Sequence, residues 1–246
     1  AGFTVIIANT DDDEDKTFEA MQSMQSRSID GLLIATARRD DPTVDHCIQN
    51  DVHFVLVNRT VDRDDVNAII LDEDRGIRLV LDHLIDLGHK RIAHIAGPQN
   101  ASTGYARASA FADYLRIRDL QADLIEIADR YTVEAGRLAL QKLQRRRDDF
   151  TAIVAGNDLL ALGCMDAIHE SGLSVPDDCS IAGYNDMMFL DRIRPALTTV
   201  AVPTYEMGAQ ATSMLLEAIN GSDKAPVVLK MQPRLIVRES TVKASD

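Results

Sequence analysis

Amide and carboxylate side chains recur just after short apolar runs in this chain. Asn58 and Arg59 follow Phe54–Val57, Asn157 and Asp158 follow Ala152–Ala155, and Asn185 and Asp186 follow Ile181–Tyr184. An amide both donates and accepts hydrogen bonds, a carboxylate accepts, and an arginine donates. Such a set suits the hydroxyl groups of a sugar, and the charged members strengthen the bonds they make. The same residue types also cap helices and form turns. Each position therefore carries two readings, and Asp158 leans towards capping. Patterns for covalent or metal chemistry are missing. There is no G-x-S-x-G, no phosphate-binding G-x-x-x-x-G-K and no G-x-G-x-x-G. The histidines His46, His53, His83, His89, His94 and His169 form no H-E-x-x-H pair. His83, His89 and His94 fall on a helix, a turn and a strand, which points them in different directions and gives them structural roles. Cys47, Cys164 and Cys179 lie far apart, are odd in number and make no C-x-x-C. They read as buried thiols of a reducing compartment. The sequence therefore points to binding: no metal, no cofactor and no catalytic set is expected.

The elements that must position these residues alternate. Strand candidates are Thr4–Ala8, Gly31–Ala35, Phe54–Val57, Ala68–Leu71, Ile92–Ala96, Leu124–Ile127, Ala152–Ala155, Ser180–Tyr184, Val227–Leu229 and Leu235–Val237. Several are continuous apolar runs, as strands covered on both faces require. Helix signals lie between them. Glu73–Leu87 lines up Ile77, Val80, Leu81, Leu84 and Leu87 and stops at Gly88. Thr132 can cap Val133–Leu143, Asp158 can cap Leu159–Ser171, and Thr204–Asn220 ends at Gly221. Thr103 reads as a cap for the helix that follows it. This rhythm means an α/β fold with parallel sheets and helices on both faces. Gly97-Pro98 breaks it, which makes two doubly wound lobes. The expected division is 1–97 with 200–228, and 98–199 with 229–246. The acidic run Asp11–Asp15 reads as a solvated loop with favourable charge at a helix start.

Composition is that of a globular protein: 46% hydrophobic and 26% charged over 246 residues. The net charge of −13 repels phosphate backbones, so any DNA contact must come from a segment outside this chain. No apolar run is long enough to span a membrane. Ala1–Thr10 has no export-signal pattern, and a cytoplasmic location is expected.

Six segments, in order, resemble the LacI/GalR family of transcription regulators. They are Asp72–Pro98, with Leu87-Gly88-His89-Lys90-Arg91-Ile92 and a strand ending in Gly97-Pro98; Arg107-x-x-Ala110-Phe111; Thr151–Asp158 with Ala161-Leu162-Gly163; Val175–Asp186; Pro195–Val200 with Glu206-Met207-Gly208; and Leu235–Ser240. The resemblance covers essentially the whole chain. It implies two Rossmann-like lobes of the type I periplasmic-binding-protein kind, joined by three crossovers near Gly97-Pro98, Leu197–Val200 and Val227–Met231, with an effector in the cleft. Ligands of open α/β sheets sit at the carboxyl ends of strands. By resemblance, Arg107 contacts the effector and Tyr131 stacks on its apolar face, while Asn58, Asn157 and Asn185 touch it. Arg59 and Asp186 complete the expected ligand-binding set. The family's Gly-Tyr-Asp reads Gly183-Tyr184-Asn185 here, with the acid one place later at Asp186, so the effector's polar pattern differs. The resemblance further implies a homodimeric regulator of the repressor type that binds a sugar-like effector and reads operator DNA through a helix-turn-helix absent from this chain. The rival reading is a periplasmic sugar-binding protein of a transporter. In the family, the segment matching Gly2–Asn9 is the second strand of its lobe, preceded by a βα unit of roughly 30–40 residues. A lobe without that unit leaves neighbouring strands unpaired.

Overall fold

The computed structural model describes residues 2–221 and 224–244, so positions 1, 222–223 and 245–246 of the expected lobes lie outside it. The elements in chain order are α1 (Glu14–Gln25), β1 (Leu32–Ile34), α2 (Pro42–Gln49), β2 (Phe54–Asn58), β3 (Ala68–Leu71), α3 (Glu73–Asp86), β4 (Ile92–Ala96), α4 (Ser102–Ile117), β5 (Ile125–Ile127), α5 (Val133–Arg146), β6 (Ala152–Ala155), α6 (Asp158–Glu170), β7 (Ser180–Asn185), β8 (Thr198–Ala201), α7 (Thr204–Ile219), β9 (Val228–Met231) and β10 (Arg234–Ile236). They build two sheets, ordered β1-β2-β3-β9 and β10-β8-β7-β6-β4-β5. The pairs β1–β2 and β2–β3 are parallel. In the larger sheet β5, β4, β6, β7 and β8 run parallel and β10 returns antiparallel.

The chain divides into two compact units: Ala1–Ile70 with Tyr205–Leu229, and Leu71–Thr204 with Lys230–Asp246. The chain passes between them three times, but the first passage falls at Ile70/Leu71 and not at Gly97-Pro98. The reason is the register of β4. Ile92 pairs with Ala152 and His94 with Ile125, which ties this strand to β6 and β5. The turn at Gly97-Pro98 closes a strand inside the larger unit.

In the larger unit, β4 and β6 are buried at every residue, as their apolar runs demand. Helix α3 packs Ile77, Val80, Leu81 and Leu84 inward, under an Asp72 cap that accepts from the Arg75 N–H. Thr132 caps α5 through Ala135 N–H. Helices α5 and α6 approach so closely that glycine is required at the contact. A Cβ on Gly163 would lie 1.9 Å from the Val133 carbonyl oxygen, and one on Gly136 would lie 2.4 Å from that of Leu160. Strand β8, which is missing from the expected strands, is fully buried, and Thr198 is bonded from the C-terminal segment. Ser240 Oγ accepts from Thr198 N–H, and Thr198 Oγ1 accepts from Arg238 N–H.

The smaller unit corrects one expectation. Thr4–Ala8 is not a strand, and Val5 and Ile7 are 80% and 88% exposed. A strand exists only through its ladder. Here β1 sits at the sheet edge and pairs with β2 alone among the described residues. An apolar groove of about 510 Å³ separates the 3–8 segment from β1, lined also by α1 and α7. The acidic run is put to use: Asp13 caps α1 through Lys16 N–H.

Gly163→Ala is expected to weaken the larger unit by about 1–3 kcal/mol or more, through overpacking against backbone. Gly208→Ala, in α7 with nothing within 4 Å of the added methyl, is expected to strengthen the smaller unit by about 0.5–1 kcal/mol. Urea denaturation of both variants checks the pair.

Candidate functional site

In the larger unit the chemistry gathers at the carboxyl ends of β4, β6 and β7. Helix α4 carries Arg107 into this edge, where its side chain is only 2% exposed. The guanidinium bonds Glu73 twice: Nε to Oε2 at 2.8 Å and Nη2 to Oε1 at 2.9 Å. Nη1 donates to the Gly156 carbonyl at 2.7 Å. The Tyr184 ring lies against one face, 3.7 Å from its centroid to Cζ. Burial works against the charge, but Glu73 and the tyrosine outweigh it and hold Arg107 more firmly protonated than a free arginine. The Tyr184 hydroxyl is pushed well above its ordinary range, first by burial and then by Glu73. This tyrosine fits only because α3 offers Gly76: a Cβ there would meet the Tyr184 oxygen at 2.0 Å.

Tyr131 is half-buried over Gly97, where any Cβ would meet its ring at 2.3 Å. Its hydroxyl is 3.2 Å from Thr103 Oγ1. Thr103 is thus a partner of Tyr131, and Ala101 stands at the cap of α4 with no side-chain cap bond. Asn157 is the cap of α6, accepting from Leu160 N–H at 2.9 Å. Its Oδ1 is occupied, which leaves the amide nitrogen to donate. Asp158, expected as that cap, is the first residue of the helix and fully buried. It accepts from Thr199 Oγ1 at 2.6 Å and from Met187 N–H at 2.9 Å. Asn185 ends β7 at φ 119°, and Asp186 follows at φ 57°, backbone that Asn and Asp tolerate better than most residues. Asp186 accepts from Arg238 Nη2 at 2.6 Å.

In the smaller unit, Asn58 ends β2 at φ 67°. Arg59 pairs with Asp12, its Nη2 donating to Oδ2 at 2.9 Å, and its Nη1 donates to the Thr36 carbonyl at 3.4 Å. Five of the expected residues, Arg107, Tyr131, Asn157, Asn185 and Asp186, therefore lie along one edge of the larger sheet. Asn58 and Arg59 occupy the strand-end edge of the smaller one. Sequence reasoning missed Glu73, Tyr184, Arg238 and Asp12. Glu73 obeyed the rule used for the others, a polar residue just after a strand, but was read as the start of a helix. His89 and His94, expected to be structural, bond backbone carbonyls inside the larger unit. His94 donates from Nδ1 to the Val154 carbonyl, and burial pushes it down to about 4. His89 donates from Nε2 to the Val242 carbonyl.

Burial raises the Asp158 carboxyl from 3.8 to about 6; bonds from Thr199 and Met187 pull it down, and Asp186 adds to the rise. A raised carboxyl favours the fold in its protonated form. That contribution is complete below about pH 3.8 and is lost as pH climbs through about 6. A rise of this size corresponds to on the order of 3 kcal/mol. Asp158→Asn should therefore gain on the parent protein between pH 4 and pH 7. Thermal midpoints of the two, compared across that range, check this, and a constant difference contradicts it.

Comparison with known proteins gives this geometry a context. A family model described as a periplasmic binding protein-like domain matches residues 81–241. The regulator CelR of Thermobifida fusca, described as an HTH-type transcriptional regulator, is 32% identical over 88% of the chain. The chain spans 65% of that relative's length. The solved complex of CelR with cellobiose has a TM-score of 0.86 at 30% identity, covering 92% of this chain and 70% of that one. The lac repressor dimer bound to operator has a TM-score of 0.82 at 26% identity, covering 93% and 79%. The chain belongs to the periplasmic binding protein-like domain family, in its branch of LacI-type transcription regulators.

Proposed function

We propose that this chain is the effector-sensing core of a LacI-type repressor whose ligand is a neutral sugar or sugar derivative. The observation that carries the reading is the strand-end edge of the larger unit. There an aromatic ring on a glycine, an amide that caps with its oxygen, and charged groups held by their own partners stand side by side. Such groups meet both sides of a sugar: a ring for its apolar face and fixed donors and acceptors for its hydroxyls. Arg107, Tyr131, Asn157, Asn185 and Asp186 are the proposed contacts on this unit. Asn58 and Arg59 are the proposed contacts on the other. The CelR structure with cellobiose supports the ligand class, and the operator-bound lac repressor dimer supports a dimer acting on DNA; a cytoplasmic location goes with that reading. The matched relatives are regulators, which sets aside the transporter reading. No part of the arrangement calls for catalysis. Effector binding would bias the protein between states by its different affinity for each, and so change operator affinity. Among the described residues no helix is long and apolar enough to cross a membrane.

A thermal-shift panel of cellobiose, ribose and other neutral sugars tests the ligand class. A ligand that binds only the native state adds about 2.7 kcal/mol at 100 times its Kd. Tyr131→Ala is then expected to weaken the responding sugar by about tenfold or more, measured by titration below the variant's own unliganded midpoint. A panel with no response overturns the sugar reading, and unchanged affinity removes Tyr131 from the site.

A further inference from the structure

We infer that Glu73 determines the ligand class at this site: it presents a carboxylate to hydroxyl donors and keeps anionic sugars out. The inference rests on the sugar-binding reading above. Its basis is which member of the buried ion pair faces outward. The Arg107 side chain is 2% exposed and that of Glu73 is 10%. Three of the arginine's N–H groups are given to Glu73 and to the Gly156 carbonyl, and Tyr184 covers one face. The Glu73 carboxylate accepts one bond from Arg107 on each oxygen and has the Tyr184 hydroxyl beside it, which uses three of its roughly four acceptor positions and leaves about one for a ligand. A ligand therefore meets the acid before the base.

An arriving carboxylate or phosphate faces two costs. It must displace Glu73 from a two-bond pair, or stand beside it as a like charge where water screens poorly. The rest of the edge does not compensate. Asp158 is buried beside it, and Arg238 is taken by Asp186. A hydroxyl meets no such obstacle. Its O–H bond to a carboxylate is short and charge-assisted.

Calorimetric titration of the purified chain with cellobiose, ribose, glucuronate, ribose 5-phosphate and glucosamine tests this. The wild-type protein is expected to bind the anionic sugars at least about tenfold more weakly than the neutral ones. Glu73→Gln keeps a carbonyl oxygen for Arg107 but removes the charge. It is expected to gain about tenfold or more for glucuronate and ribose 5-phosphate, with a gain that shrinks as salt rises. Arg107→Gln is the mirror variant, leaves the acid uncompensated and is expected to gain for the glucosamine cation. It carries the test should Glu73→Gln fail to fold. The anion gain is read whether or not a neutral sugar binds. No neutral sugar binding, together with an intact charge inversion, rejects the sugar reading and keeps the role of Glu73. Anionic sugars binding the wild-type protein as well as neutral ones, or no change of charge preference in either variant, overturns it.

Discussion

A guanidinium removed from water must find partners for its charge and its N–H groups, and the larger unit is arranged around that requirement. The effective penalty for burying such an ion is several kcal/mol, repaid only by good geometry. Glu73 supplies the countercharge from the first turn of α3. Gly156 supplies a carbonyl from the end of β6, and Tyr184 a ring from β7. One side chain on α4 thus fixes three further elements at one point. Removing either charge leaves the other buried alone, so the arrangement resists drift in any of the four. The glycine at position 76 follows from the same requirement, because the ring that flanks Arg107 needs the space a Cβ would fill.

The neighbouring polar residues show how capping and binding coexist. A helix start leaves N–H groups unpaired, and an amide that caps them becomes rigid. Asn157 spends its oxygen this way and keeps its N–H groups. Asp186 is held by Arg238 in the same sense. A site made of side chains already fixed by their own partners loses little entropy when a ligand arrives. The two readings of a strand-end asparagine, cap or contact, were alternatives in the sequence. The capping geometry of Asn157 leaves its N–H groups available, so the two are compatible.

The fold was legible because burial on both faces leaves a strong trace. The runs Ile92–Ala96 and Ala152–Ala155 could be little else than central strands, and they are. Strand β8 was harder, since Thr198 and Thr199 look polar. Their hydroxyls are satisfied by Arg238 N–H and Asp158, and no local pattern announces partners about 40 residues away. The first passage between units was misplaced for a related reason. A Gly-Pro turn marks the end of a strand, but which sheet that strand joins depends on pairing with Ile125 and Ala152. Thr4–Ala8 has the composition of a strand and lacks a ladder, and composition alone does not supply one. Among candidate site residues, Arg107 and Tyr131 were visible only through family resemblance. Glu73 escaped because its acidic neighbours Asp72 and Asp74 made an ordinary helix start a sufficient explanation.

The position of Glu73 in the chain ties the site to the fold. The chain passes from one unit to the other at Ile70/Leu71, and Asp72 N–H bonds the Met231 carbonyl just beyond the third passage. Glu73 is the next residue. A group that contacts its carboxylate therefore acts on the first turn of α3, one residue from the point where two connecting segments are hydrogen-bonded together. A ligand changes the balance between states only through contacts that differ between them. Rigid groups deep in one unit, such as Asp158 under Thr199, have little freedom to differ. The first turn of α3 is anchored on one side by the Arg107 pair and on the other by the connecting segments. That places Glu73, among the polar groups of this edge, nearest in the chain to the passage from one unit to the other.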